Sequence, residues 1–347
     1  AGIGPSVVGH RHPKVTAAVQ QQIDQYWHTL VFGEFVLAPQ VQLARLLAAQ
    51  LPGLDSVYFV NSGAEATEGA MKLAKRATGR PYFVACRKAY HGSTQGAASL
   101  MDPDDFTRAF HPLLPGVRHM NFNEEEGLNL IDEQVAAVIV ETVQGEAGVI
   151  PPRPEWLRAL RKRCSEQGTL LILDEIQAGM GRTGKLFAFE QYGVVPDILL
   201  LAKGFGGGMP LGAFVAKHAL MNLLTHDPVL GHITTFGGHP VCAAAGLATL
   251  ELLLEGDLIS QIPEKAAYFR NNLTHPAIQE LRHAGLWFGV DLGNFATVQK
   301  FIQHCLHHGV VTDWFLFNDR SLRIAPPLTI SIAEIEHACE VINSTIL

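Results

Sequence analysis

From residue 42 to about 250 the chain alternates short apolar, β-rich runs with longer segments whose apolar residues recur at helical spacing. The pattern predicts strands over 56–60, 81–85, 136–141, 170–173 and 197–201, and helices over 64–77 and 155–167. The runs 170–173 and 197–201 are apolar throughout, as in strands covered on both faces. Strand and helix in alternation imply an α/β fold with a mostly parallel sheet and right-handed crossovers. Ligands of such sheets bind beyond the carboxyl ends of the strands. After about residue 256 helix-like stretches (261–273, 297–308, 332–346) surround weaker strands (286–292, 322–325), the pattern of a smaller α+β unit. The expected division is therefore a large domain, 42–250, and a small domain built from 1–41 and 251–347.

Composition narrows the picture. Of 347 residues, 48% are hydrophobic, enough for a sizeable core. The longest apolar runs are far too short to span a bilayer, so no membrane partner is expected. Twenty-six basic against 33 acidic side chains give a net charge of −7, which argues against nucleic acid. Five scattered cysteines with no C-x-x-C pair read as reduced thiols in a cytoplasmic protein. The opening, Ala1-Gly2-Ile3-Gly4-Pro5 without a Met, predicts further sequence upstream. Glycine is in excess, 33 residues, and five fall between Gly204 and Gly212. Such clustering suggests backbone close to a ligand.

Six constellations follow the predicted strands. Asp174-Glu175-Ile176-Gln177 places an acid pair after an apolar strand, where it can cap a helix or hold a protonated heteroaromatic nitrogen. Lys203 ends another apolar strand and opens a glycine-rich loop. It is either a solvated lysine or a desolvated nucleophile suited to a Schiff base. Asn61-Ser62-Gly63-Ala64-Glu65-Ala66 joins strand to helix and reads as an N-cap or a phosphate site. Tyr90-His91-Gly92 offers an aromatic ring for core packing or for stacking on a planar ligand. Glu141-Thr142-Val143-Gln144-Gly145-Glu146 carries acids past another strand end. Arg323 lies on an otherwise apolar strand and calls for a carboxylate, internal or from a substrate.

Three other patterns lead nowhere. Gly179-Met180-Gly181-Arg182-Thr183-Gly184-Lys185-Leu186 nearly matches a P-loop, but Leu186 has no hydroxyl for a metal ion. The loop after Lys203 lacks dinucleotide-binding spacing. His304, His307 and His308 lack companions arranged for a metal and read as surface residues.

A lysine nucleophile, an aspartate for a ring nitrogen, a phosphate-binding helix start and a stacking aromatic together suit pyridoxal 5′-phosphate. With Val7-Val8-Gly9-His10-Arg11-His12-Pro13, Gly181-Arg182-Thr183-Gly184, Thr235-Phe236-Gly237-Gly238 and Arg323-Ile324-Ala325-Pro326-Pro327, these motifs resemble the class III, or ω-amino acid, aminotransferases. The ornithine and acetylornithine enzymes are the leading type. The resemblance runs along nearly the whole chain in order. It implies the fold type I architecture: a three-layer large domain around a mostly parallel sheet, and a smaller α+β domain whose N-terminal part is incomplete here.

The resemblance also implies roles. Lys203 is similar to the lysine that holds the cofactor and later moves a proton, and Asp174 to the partner of the pyridine nitrogen. Gln177 is similar to the residue that bonds the phenolic oxygen. Gly63 and Ala64, with Ser62 nearby, are expected at the phosphate; Tyr90, His91 and Glu141 are expected around the ring. Thr235 is expected to reach the phosphate of a neighbouring subunit, which makes the active site a property of a homodimer. Arg323 is similar to the arginine that grips a distal carboxylate, and Glu146 to the acid that pairs with it when an ω-amine donor is bound.

One position departs from the pattern. Relatives acting on ornithine, acetylornithine or 4-aminobutyrate commonly carry an arginine after the aromatic-His-Gly motif; here it is Ser93, which cannot clamp a carboxylate. The stretch 28–35, with Phe32 and Phe35, is expected to line the substrate entrance. The implied activity is transfer of an amino group from an ω-amino acid, of the ornithine or N-acetylornithine type, to a 2-oxo acid such as 2-oxoglutarate by a ping-pong mechanism. Alternatives are another class III transaminase, an epimerase or aminomutase on the same cofactor, and a non-catalytic scaffold.

Overall fold

The computed structural model describes residues 3–31, 35–102 and 106–346. Seven strands form one sheet: β1 (Ser56–Val60), β2 (Tyr82–Cys86), β3 (Val117–Met120), β4 (Val135–Glu141), β5 (Leu170–Asp174), β6 (Ile198–Leu201) and β7 (Gly212–Ala216). Their spatial order is β1-β7-β6-β5-β4-β2-β3. Neighbours from β3 across to β6 pair in parallel; β7 is antiparallel to both β1 and β6. Four further strands, β8 (Glu280–His283), β9 (Phe288–Asp291), β10 (Asp313–Phe315) and β11 (Asn318–Ile324), form a separate antiparallel sheet.

The helices are α1 (Pro13–Gln25), α2 (Ala38–Ala49), α3 (Gly63–Thr78), α4 (Gln95–Ser99), α5 (Pro154–Gln167), α6 (His218–Met221), α7 (Pro240–Glu255), α8 (Ile262–Asn272), α9 (Phe295–His307) and α10 (Ile332–Asn343). The elements expected from the pattern are present, with ends moved by at most four residues. Side-chain alternation divides the main sheet between two cores. Phe83, Ile139, Ile172, Leu200 and Phe214 pack with Ala66, Ala70 and Leu73 of α3. Val84, Val138, Leu171, Leu199 and Val215 face the other way, toward Leu43 and Leu47 of α2 and Trp156 and Leu160 of α5. Burial of both faces is why β4, β5 and β6 are apolar almost throughout.

The glycines after β6 divide between two roles. Gly208 lines a cavity and has open space where a Cβ would be, whereas Gly204 and Gly207 serve chain-on-chain packing. A Cβ on Gly204 would lie 2.2 Å from Val7 Cγ1, and one on Gly207 would lie 2.0 Å from Thr249 Oγ1 of α7. Gly207 also has φ +60°, a conformation that favours glycine. The loop that carries Lys203 is thus clamped between the N-terminal segment and α7. Among the described residues no helix is long and apolar enough to cross a membrane. All five cysteines are buried and free.

Candidate active site

The ends of β1, β4, β5 and β6 and the loop after β2 converge on one cavity of about 690 Å³. Ser62, Gly63, Ala64, Tyr90, His91, Ser93, Glu141, Asp174, Gln177 and Lys203, all expected at the site, line it. A second cavity of about 570 Å³ adjoins it, sharing Pro5, Tyr90 and Lys203 and adding Glu146, Asp313, Trp314 and Arg323. Lys203 therefore stands at the junction of two spaces, each within the size range of small-molecule sites.

The start of α3 borders the first cavity. Ser62 Oγ accepts from Glu65 N at 3.2 Å, and the Glu65 carboxylate accepts from Asn61 N at 2.9 Å. The cap occupies the Ser62 hydroxyl and leaves the first-turn N–H groups of Gly63 and Ala64 without helical partners. Gly92 (φ +127°) seats the 90–93 loop on this turn, since a Cβ there would lie 2.6 Å from Ala64 Cβ.

The acid pair after β5 divides its work. Asp174 starts no helix: its Oδ1 accepts from Ile176 N at 2.9 Å, and its Oδ2 lies 2.7 Å from His91 Nδ1, both side chains being buried. Burial works against charge on His91, but the hydrogen bond and charge of Asp174, with Glu141, hold it above its ordinary range. His91 Nε2 is buried without a partner. Glu175 points away and accepts from Ala188 N, Phe189 N and Thr142 Oγ1 at 2.7–2.9 Å. Burial pushes it up to about 7. Glu141 accepts from Tyr90 N and Gly145 N, and burial pushes it also to about 7, opposed by His91 and helped by Asp174.

Lys203 has φ +47°, uncommon for a residue with a side chain. It opens onto both cavities yet is packed closely by protein, and burial holds its amine below the ordinary lysine range against the pull of Glu146, Asp174 and Glu141. That is the condition a lysine nucleophile requires.

The small sheet supplies the far wall. Arg323 on β11 makes a two-point contact with Glu146, Nη1 to Oε1 at 2.9 Å and Nη2 to Oε2 at 2.8 Å. Burial works against charge on Glu146, but Arg323 outweighs it and holds the carboxyl below its ordinary range. Gln177 joins this cluster, with its Oε1 3.3 Å from Arg323 Nη1 and its Nε2 3.4 Å from Glu146 Oε1. Arg182, from the near-P-loop stretch, is buried and donates to Leu286 O and Pro326 O, tying the loop after β5 to the small sheet.

Ser93 Oγ sits 2.9 Å from Tyr90 Oη, so no cation occupies that position. Thr235 lies outside both cavities; it is exposed, and its carbonyl is 2.7 Å from His28 Nε2. Phe35 is 65% exposed and also lies outside both cavities. Phe32 lies outside the described residues. Asp313 and Trp314 are wall residues that the motifs did not include. Asp313 carried a readable signal, a carboxylate within Val311-Thr312-Asp313-Trp314-Phe315, the same kind of intrusion that marked Arg323.

A helix start with free N–H groups, a buried carboxylate at a strand end and a desolvated lysine meet on a mostly parallel sheet, the parts that suit a phosphorylated heteroaromatic aldehyde. The aminotransferase class-III family model matches residues 1–346, and the chain belongs to the class III aminotransferases, pyridoxal-phosphate-dependent transaminases. It is 36% identical over 360 residues to the acetylornithine aminotransferase of Caldanaerobacter subterraneus subsp. tengcongensis, covering 100% of this chain and 88% of that one. Among solved structures, the ornithine aminotransferase of Toxoplasma gondii, described with partial occupancy of PLP at its active site, superposes with a TM-score of 0.91. It is 32% identical, over 99% of this chain and 83% of that one. A PLP-bound amine transaminase from an uncultivated Pseudomonas species gives a TM-score of 0.90 at 26% identity, over 99% of this chain and 88% of that one.

Proposed function

We propose that this chain transfers an amino group from an ω-amino acid of the ornithine or N-acetylornithine type to a 2-oxo acid such as 2-oxoglutarate, in two half-reactions at one site. The observation that carries the reading is Lys203 at the junction of the two cavities, with Asp174 on one side and the Arg323–Glu146 pair on the other. When bound, pyridoxal phosphate would supply an electrophilic carbon and a ring that delocalises the electron pair left when the donor loses the proton on its amine-bearing carbon.

The protein does the rest. Gly63 and Ala64 N–H groups hold the phosphate at the positive end of α3. Asp174, kept in place by His91, would hold a proton on the ring nitrogen. Tyr90 would stack on the ring and Gln177 would bond the ring oxygen, while Glu141 fixes the 90–93 loop through Tyr90 N. Lys203 binds the cofactor and then moves the proton. Glu146 neutralises Arg323 while the amine donor is bound and yields it to an acceptor carboxylate in the second half-reaction. The position of Thr235 outside its own cavity supports a homodimer in which it completes the partner's phosphate site; Trp27, Phe35 and Phe236, large and exposed, suit such a face.

The test is a panel of amine donors offered to the PLP-loaded protein with 2-oxoglutarate or pyruvate. Keto product with at least one ω-amine and one acceptor is expected. Absence of product with every pair overturns the reading.

A further inference from the structure

The second cavity has more acid on its wall than the Glu146–Arg323 pair requires. Asp313 Oδ1 lies 2.9 Å from Arg323 Nε, a charge contact without the alignment of a full hydrogen bond. The guanidinium is then engaged on every nitrogen, by Glu146, Gln177, the Trp314 carbonyl and Asp313. Two carboxylates face one guanidinium, one acid more than the cation can pair; burial raises Asp313 above its ordinary range against the pull of Arg323.

The two acids are held differently. Glu146 comes from the loop after β4 and reaches across to the β10–β11 turn, its Oε2 accepting from Leu316 N and its carbonyl from Phe317 N, each at 3.0 Å. Asp313 is the direct cross-strand partner of Arg323 in the β10–β11 pairing. Residues opposite one another in an antiparallel pair stay within about 5.5 Å at Cα while the ladder holds. Asp313 therefore remains beside Arg323 whether or not Glu146 has moved. Among the described residues lining either cavity, Lys203 and Arg323 are the only lysine or arginine, and Lys203 is committed to the cofactor. A donor whose far end carries only a carboxylate meets an arginine whose charge is already offset by an acid fixed beside it. A donor whose far end carries an ammonium meets Asp313 and Glu146 next to the aromatic face of Trp314.

We propose that Asp313 is a specificity-determining residue that selects donors with a second, cationic amine at their far end: aliphatic diamines and amino acids with a free α-ammonium, in preference to N-acylated or simple ω-amino acids. This rests on the second cavity being the donor pocket of an ω-amine transaminase, and it separates two donor types that the family resemblance leaves together.

The test uses PLP-loaded wild-type, Asp313→Asn and Asp313→Glu proteins with 1,4-diaminobutane, ornithine, N-acetylornithine and 4-aminobutanoate. The wild type is expected to favour the diamine and ornithine over N-acetylornithine by about ten-fold in kcat/KM. Asp313→Asn should erase that preference through KM, with kcat little changed, and Asp313→Glu should keep its sign. Calorimetry with glutarate, a dicarboxylate with no amine, should show binding about ten-fold tighter in Asp313→Asn. A wild type that prefers N-acetylornithine, or a variant that slows all donors equally, overturns the proposal. If no donor is turned over, the transaminase reading fails by itself. The glutarate affinity still decides the role of Asp313: tightening supports it and an unchanged value overturns it.

Discussion

At the scale of single residues, adjacent acids with the same local sequence signal have opposite fates. Asp174 meets His91 and the cavity, whereas Glu175 is folded into three protein hydrogen bonds. Burial pushes folded Glu175 up to about 7, whereas in the unfolded chain it loses its proton near the ordinary glutamate value of 4.5. Its contribution to stability is thus complete below the unfolded value and is lost as pH rises through the folded one. Relative to Glu175→Gln, the wild type should lose roughly 3 kcal/mol of stability between those limits. Thermal unfolding of both proteins across that range checks it; parallel curves would refute it. Ser93 tests a different electrostatic feature. Ser93→Arg should improve kcat/KM for donors bearing an α-carboxylate, and an unchanged donor ranking would separate Ser93 from substrate recognition.

At the scale of elements, the strands that build the site were legible because burial on both faces leaves uninterrupted apolar runs, as in Leu170–Asp174. The lysine, both acids and the arginine were legible because each interrupts or ends such a run. Helix α7 was not, because Pro240–Glu255 is buried over most of its circumference and shows little amphipathic rhythm. Strand β7 was hidden for another reason: its antiparallel direction breaks the strand–helix–strand rhythm. Asp313 was visible as an acid among apolar neighbours, but its pairing with Arg323 is a register across a hairpin, which only the folded sheet reveals. The clamp on the Lys203 loop is likewise tertiary. Gly207→Ala should cost about 2 kcal/mol, from the positive φ and the clash with Thr249, and lower the melting temperature. A variant as stable as the wild type would show that α7 does not hold this loop.

At the scale of the whole molecule, two sheets with different jobs meet at Lys203. The large sheet presents groups suited to the cofactor at its carboxyl edge, and the small antiparallel sheet presents the charged wall suited to the substrate. Arg182 fastens one to the other through the carbonyls of Leu286 and Pro326. The division of labour predicts that cofactor retention and donor choice can be altered separately, the first through Asp174 or the α3 turn and the second through Asp313, Glu146 or Arg323. The central claim is that Lys203 is the amine that makes this cavity a transaminase. It is tested most directly by glutamate formation from 2-oxoglutarate and an ω-amine donor in the PLP-loaded wild type and in Lys203→Ala. Glutamate from the wild type, with a loss of at least about a hundredfold in the variant, is the predicted result. No glutamate from the wild type with any donor, or a variant that keeps the wild-type rate, would contradict it.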